Sequence, residues 1–156
     1  MGKNNEEKKP YSIRDYLLIF AFEVFGTLIL LLGINFNNGN NALVATGLFM
    51  AAMYCAKISG AHFNGAVSIG VYILEGKYKD DFVKLLVYLL AETVGGYFGM
   101  TLSLLILGKD NIACVKPQDD SFSPLYIFMI ELFFTTIFMT GIFHNIYAEK
   151  IGLATD

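Results

Sequence analysis

The sequence predicts an all-α membrane protein with four transmembrane helices and one re-entrant half-helix. Hydrophobic residues make up 55% of the 156 residues and charged residues only 16%, whereas soluble domains average about 25% charged residues. The charges are also segregated, because segments 16–56, 85–108 and 121–148 carry one each: Glu23, Glu92 and Glu131. A soluble helix would present a charged face along its whole length. These segments do not, so the sequence excludes a soluble globular fold.

Four apolar segments are candidates for crossing the membrane, which takes about 20 residues. The first covers 16–34 and ends at an Asn-rich loop, 35–41. The others cover about 42–58, 82–107 and 124–148, and the last opens with Pro124, a residue favoured in the first helical turn. We therefore divide the chain into a polar tail (1–15), a membrane domain (16–148) and a short C-terminal tail (149–156).

Segment 59–75 lies between the second and third spans and is apolar but too short to cross the bilayer. It can enter the membrane and turn back only where protein or water satisfies its irregular backbone. Asn64 is a good N-cap for a half-helix over 65–75. The N-terminus of such a helix carries about half a positive charge, which repels cations when it points at the middle of the membrane.

Basic residues indicate the orientation. Nine lie in the N-terminal tail, between the second and third spans, or in the C-terminal tail, and only two, Lys109 and Lys116, lie in the loops on the other side. The positive-inside rule then places both termini on one side. That side would be the cytoplasm, or the matrix in a mitochondrial inner membrane.

A family resemblance follows from the motifs. The stretch Ser59-Gly-Ala-His-Phe-Asn64-Gly-Ala-Val67-Ser68 resembles the first pore loop of the aquaporin and aquaglyceroporin (major intrinsic protein) family, which reads S-G-A-H-x-N-P-A-V-T. The segments around Glu23, Glu92 and Glu131 are similar to the first, third and fourth helices of that family. The resemblance implies an aquaporin-like half-fold, since the second motif and the last two spans of the family do not occur in this sequence.

The resemblance assigns roles to individual residues. His62, Asn64, Gly65 and Ala66 would form the pore motif and the start of the half-helix, with Gly65 where the family has Pro. Glu92 stands where the family usually has Gln, and we interpret it as a neutral packing residue rather than a proton relay.

Two other carboxylates and two glycines complete the set of predicted sites. Glu23 would hold the re-entrant loop. Glu131 would brace a second loop that this sequence lacks, so it must be protonated, hydrated or paired with another chain. Gly95 and Gly99 have the spacing that lets two membrane helices pack closely.

Two functions remain open. The first, which we favour at this point, is a non-conducting accessory subunit of a larger membrane complex, a respiratory complex among the candidates, with other membrane subunits and lipids as partners. The second is a channel for water or a small neutral solute, completed by a second copy or a second chain. The net charge of −3 without a basic stripe argues against nucleic acid binding. We find no catalytic constellation, cofactor motif or metal-ligand spacing, so we expect no enzyme and no cofactor.

Overall fold

The computed structural model describes residues 11–112 and 123–147, and the regular structure in these ranges is helical. The five α-helices are α1 (Ile13–Phe36), α2 (Asn41–Cys55), α3 (Gly65–Glu75), α4 (Phe82–Leu107) and α5 (Pro124–Tyr147), with a short 3₁₀ turn at Lys109–Asn111 after α4. The all-α membrane architecture predicted from the sequence is confirmed. Both tails and most of the loop before α5 lie outside the described residues.

Helix lengths match the membrane. At 1.5 Å per residue, α1, α4 and α5 are each about 36–39 Å long, enough for a hydrocarbon core of about 30 Å. By length and composition these three helices can cross a membrane. The second of the four expected spans, 42–58, contains α2, which at 15 residues is shorter than the three helices that can cross a membrane by length. Backbone hydrogen bonds continue beyond α2, from Ser59 N to Cys55 O (2.8 Å) and from Gly60 N to Ala56 O (3.1 Å). The 11-residue helix α3 is about 16 Å long, half the core, as expected of a half-helix.

Local chemistry sets the helix boundaries. Ser12 and Asp15 form a capping box, so α1 begins three residues earlier than predicted. Asn40 caps α2 and Asn64 caps α3, each accepting a hydrogen bond from the backbone two residues on. Helix α3 ends at Gly76, whose φ of 68° is left-handed and suits glycine.

The closest helix pair is α1 with α4. They meet through small residues, because Gly95 faces the backbone of Val24 and the side chain of Thr27. One turn later Gly99 faces Leu28 and Leu31. Gly95 and Gly99 therefore lie where α4 comes close to the backbone of α1, an approach that small residues permit between membrane helices.

The loop between α2 and α3 is anchored in the core. Phe63 is buried with Ala51 and Cys55 of α2, and its ring occupies the space beside Gly26 of α1. Helix α5 is different. It touches α3 where Phe143 and Met139 approach Gly70, and most of its other described side chains are exposed. One compact unit of α1–α4 thus carries a loosely attached α5.

Candidate pore loop and half-helix

The loop before α3 has an unusual backbone. Gly60, Ala61 and Phe63 have φ values of 94°, 55° and 51°. Residues other than glycine pay about 1–2 kcal/mol in this left-handed region. Such a conformation persists only where the surroundings hold it, and it is typical of functional loops.

The carboxylate of Glu23 holds this loop from α1. It is fully buried and accepts hydrogen bonds from Ser59 Oγ (2.6 Å), His62 N (3.1 Å) and Phe63 N (2.7 Å). The two backbone donors belong to the strained segment itself, and without Glu23 these N–H groups would lack partners in a buried or half-buried loop, which is costly. Hydrogen bonds to a carboxylate are among the stronger ones in proteins.

Helix α4 holds the same loop from the other side. The hydroxyl of Tyr88 donates to the Ser59 carbonyl, and its ring stacks on the His62 imidazole with centroids 4.3 Å apart. Ser59 therefore bridges α1 and α4, since its hydroxyl donates to Glu23 while its carbonyl accepts from Tyr88. Two helices that pack tightly on each other fix the loop between them.

Asn64 ends the loop and starts the half-helix. Its Oδ1 accepts the Ala66 backbone N–H at 2.9 Å, which leaves its amide NH₂ group as a donor. Asn64 and Ala66 are both exposed. The first turn of α3 therefore presents polar donors at an open face of the described residues.

A polar chain runs behind the half-helix. Ser68 Oγ lies 2.6 Å from Glu92 Oε1 of α4 and 2.9 Å from His62 Nδ1. Ser68 and Glu92 are buried and His62 is half-buried. The second oxygen, Glu92 Oε2, is buried without a hydrogen-bond partner among the described residues.

His62 also borders an open cavity of about 460 Å³. Its wall includes Tyr11, His62, Glu75, Lys84, Tyr88 and Tyr147. Lys84 and Glu75 are 4.0 Å apart and neutralise each other in this wall. The loop residues Ser59 and Gly60 also line this cavity, so the loop borders open space on the side of Lys84.

The structure groups most of the predicted site residues. Glu23, His62, Asn64, Gly65, Ala66 and Glu92 meet around one loop. Glu131 does not, because it lies on α5 and is exposed. Sequence reasoning gave no role to Ser59, Ser68 or Tyr88. One signal was available: Tyr88 lies four residues before Glu92 in the same apolar segment, which places both on one face of a helix.

The comparison with protein families agrees with this geometry. The family model described as Major intrinsic protein matches residues 16–155. The chain belongs to the major intrinsic protein family. The predicted resemblance is therefore confirmed, and the protein is a channel-like integral membrane protein with several spans. No curated protein and no solved structure matches the chain. Members of the major intrinsic protein family are channels, and the residues that resemble the family's first pore loop lie in the loop held by Glu23 and Tyr88.

Proposed function

We propose that the chain forms one half of a channel for water or a small uncharged solute, and that a second copy of the chain supplies the opposite wall. The observation that carries this proposal is the pore loop. Its backbone keeps strained conformations at an energetic cost, and a buried carboxylate is devoted to holding them. Backbone strain of this kind clusters at functional sites.

The open face of the half-helix supports a pore. A selective channel needs a narrow lining of donors and acceptors with a wall on every side. Asn64 supplies a donor at the start of α3, and the first turn of that helix supplies backbone N–H groups. The described residues provide a wall on one side, and in this proposal a second copy of the chain encloses the path.

The exposed helix α5 supports the second wall. Leu132, Phe133 and Phe134 are about half exposed or more, and Glu131 lies among them. A carboxylate facing lipid costs about 2.5–3.5 kcal/mol on insertion scales. Contact with a second copy would cover the apolar side chains and give Glu131 a polar partner.

Water permeability of proteoliposomes tests the proposal. Asn64→Ala is the test variant and Asn40→Ala is the matched control, because each asparagine is an exposed N-cap that accepts from the backbone two residues on. Each change costs about 1 kcal/mol of helix stability. We expect wild type and Asn40→Ala to shrink faster than empty vesicles under an osmotic gradient, and Asn64→Ala to lose most of that rate. Wild-type vesicles that shrink no faster than empty ones would refute the proposal.

One observation favours a second candidate, the non-conducting accessory subunit. Glu131 is exposed on α5, a helix with few contacts to the other described helices. This exposure fits a contact with foreign membrane subunits as well as a contact with a second copy. Glu131→Leu would leave a polar partner group unpaired, at about 1–3 kcal/mol, while Glu131→Gln keeps the shape and a polar end. Two results together would establish this function instead. The Leu variant, but not the Gln variant, would be released from a larger native complex in mild detergent, and wild-type proteoliposomes would shrink no faster than empty vesicles.

A further inference from the structure

The hydrogen-bonded row of His62, Ser68 and Glu92 has two possible proton arrangements. Ser68 has one hydroxyl proton and two neighbours. If it donates to Glu92 Oε1, its oxygen must accept from His62, which then carries its proton on Nδ1. If Glu92 is protonated and donates to Ser68, the Ser68 proton points at Nδ1, and the neutral His62 must carry its proton on Nε2.

The far end of the row lies at the half-helix. Glu92 Oε2 has no hydrogen-bond partner among the described residues, and Glu92 is only 8% exposed. This oxygen lies 3.7 Å from where a Cβ on Gly65 would be, so it is beside the first residue of α3. A helix N-terminus attracts negative charge. The unpartnered oxygen of a buried carboxyl group is thus placed where ionisation would be favoured by the helix.

The near end of the row lies at the cavity. His62 borders the cavity of about 460 Å³, and its Nε2 lies on the side of Gly60, which is exposed. A proton from water in the cavity can therefore reach the imidazole without crossing the packed core.

We propose that His62, Ser68 and Glu92 form a proton relay from this cavity to the N-terminus of α3, with Glu92 as the protonation site. One proton binds at His62 Nε2, the Nδ1 proton passes to Ser68 Oγ, and the Ser68 proton passes to Glu92 Oε1. The bonds made and broken balance, and the row ends in its second arrangement with one proton gained. This inference goes beyond the proposed channel, because Glu92 can take up a proton whether or not a pore is completed.

Protonation of Glu92 changes the charge at the half-helix. When ionised, Glu92 offsets the positive end of α3, so the site repels cations less; when neutral, it leaves that positive end unopposed. Other ionisable groups lie near the row on every neighbouring element. They are Tyr11 before α1, Glu23 on α1, Glu75 on α3, Asp81 before α4, Lys84 and Tyr88 on α4, and Tyr147 on α5. The Glu23 carboxylate opposes a second negative charge at Glu92, and Lys84 opposes a positive charge on His62.

The His62 tautomer tests the relay directly. The chain has two histidines, so a His144→Gln background labelled with ¹⁵N-histidine gives NMR signals from His62 alone. We expect the proton to lie on Nδ1 at high pH and to move to Nε2 as the pH falls and Glu92 binds a proton. Glu92→Gln has no titrating group, so the tautomer switch should be lost. Ser68→Ala should also abolish the switch, and Ser68→Thr, which keeps the hydroxyl, should retain it.

Thr93→Val is the control, because Thr93 adjoins Glu92 but its exposed hydroxyl bonds to the Leu89 carbonyl, away from the row. This variant should switch like wild type. Circular dichroism checks that each variant is folded. If Glu92→Gln does not fold, the comparison of Ser68→Ala with Ser68→Thr still tests the relay. A His62 tautomer that is independent of pH, or that switches equally in the Ser68→Ala variant, would overturn the relay. The vesicle assay remains a separate test of the channel, so either proposal can fail alone.

Discussion

Adding one methyl group to α4 should distinguish a tight helix contact from a loose one. In Gly95→Ala the new Cβ would lie 2.5 Å from the Val24 carbonyl oxygen and 2.9 Å from Thr27 Cβ. Carbon contacts are optimal at about 3.5–4.0 Å, so α1 and α4 must separate by about 1 Å. In Gly96→Ala the new Cβ would have no neighbour within 4 Å outside the adjacent residues and backbone of α4 itself. The two variants make the same chemical change in neighbouring residues of one helix.

The expected magnitudes have opposite signs. Overpacking of a tight interface costs about 1–3 kcal/mol, and a gap of about 1 Å loses up to half of each dispersion contact around it. Replacing glycine by alanine in a helix interior gains about 0.5–1 kcal/mol. Gly96→Ala should therefore be neutral or stabilising, and Gly95→Ala should be destabilising by about 1–2 kcal/mol after the helix gain is subtracted.

The difference in stability between the two variants is measured by unfolding the protein in mixed detergent micelles with an SDS titration, with circular dichroism as the signal. The readout is the free energy of unfolding of each variant relative to wild type. Equal stability of Gly95→Ala and Gly96→Ala would show that α1 and α4 are not in backbone contact at Gly95. Since α1 also carries Glu23, we expect Gly95→Ala to lower the permeability of vesicles as well.

Three further predictions concern the loop, the half-helix and the orientation. Glu23→Leu leaves the His62 and Phe63 amides without acceptors. It should cost about 2–6 kcal/mol in the same titration, from about 1–3 kcal/mol for each amide. The exposed Glu131→Gln is a near-neutral control, and a loss below about 1 kcal/mol would contradict the anchoring role. Gly65→Pro should stabilise the protein by about 0.4–1 kcal/mol. Asn64 already has the extended backbone (φ −154°, ψ 122°) of a residue before proline, and the nearest atom to a Cβ at residue 65 is 3.4 Å away. A clear loss of stability would show that the Gly65 N–H is needed. Orientation is tested in a Cys114→Ser background, in which the remaining native cysteine, Cys55, is buried. Single cysteines placed at the exposed positions Asn41 and Lys79 should react with an impermeant maleimide from opposite sides of the membrane. Labelling of both from the same side would refute the predicted orientation.

Much of the fold followed from the order of apolar and polar residues. The segments with a single charge each located the helices, because lipid tolerates few charges and requires every backbone group to be bonded within a helix. Asn64 located the start of the half-helix, since capping depends on residues that are neighbours in the chain. The boundary at Ile13 was missed by three residues, because the capping box of Ser12 and Asp15 lies inside a segment that reads as a polar tail.

The candidate site was only partly predictable. The loop motif and the three membrane carboxylates stand out in sequence, because polar groups are rare in apolar segments. Their partners do not, since Ser68 and Tyr88 are ordinary residues until α3 and α4 bring them to Glu92 and Ser59. The prediction that Glu92 only packs as a neutral side chain is still untested, but its bond to Ser68 places it in a row that reaches the cavity.

The sequence by itself determined the class of the protein, the helix order and the loop that carries its chemistry, because these depend on hydrophobicity and on contacts between near neighbours. The tertiary structure decided which polar groups share a hydrogen bond, which oxygen of Glu92 is left without one, and which glycine can accept a methyl group. Those properties depend on distances between residues 24 to 71 positions apart, such as Ser68 with Glu92 or Gly95 with Val24. Such distances are set by how the helices pack, and the packing is the joint result of many weak contacts that no single segment contains.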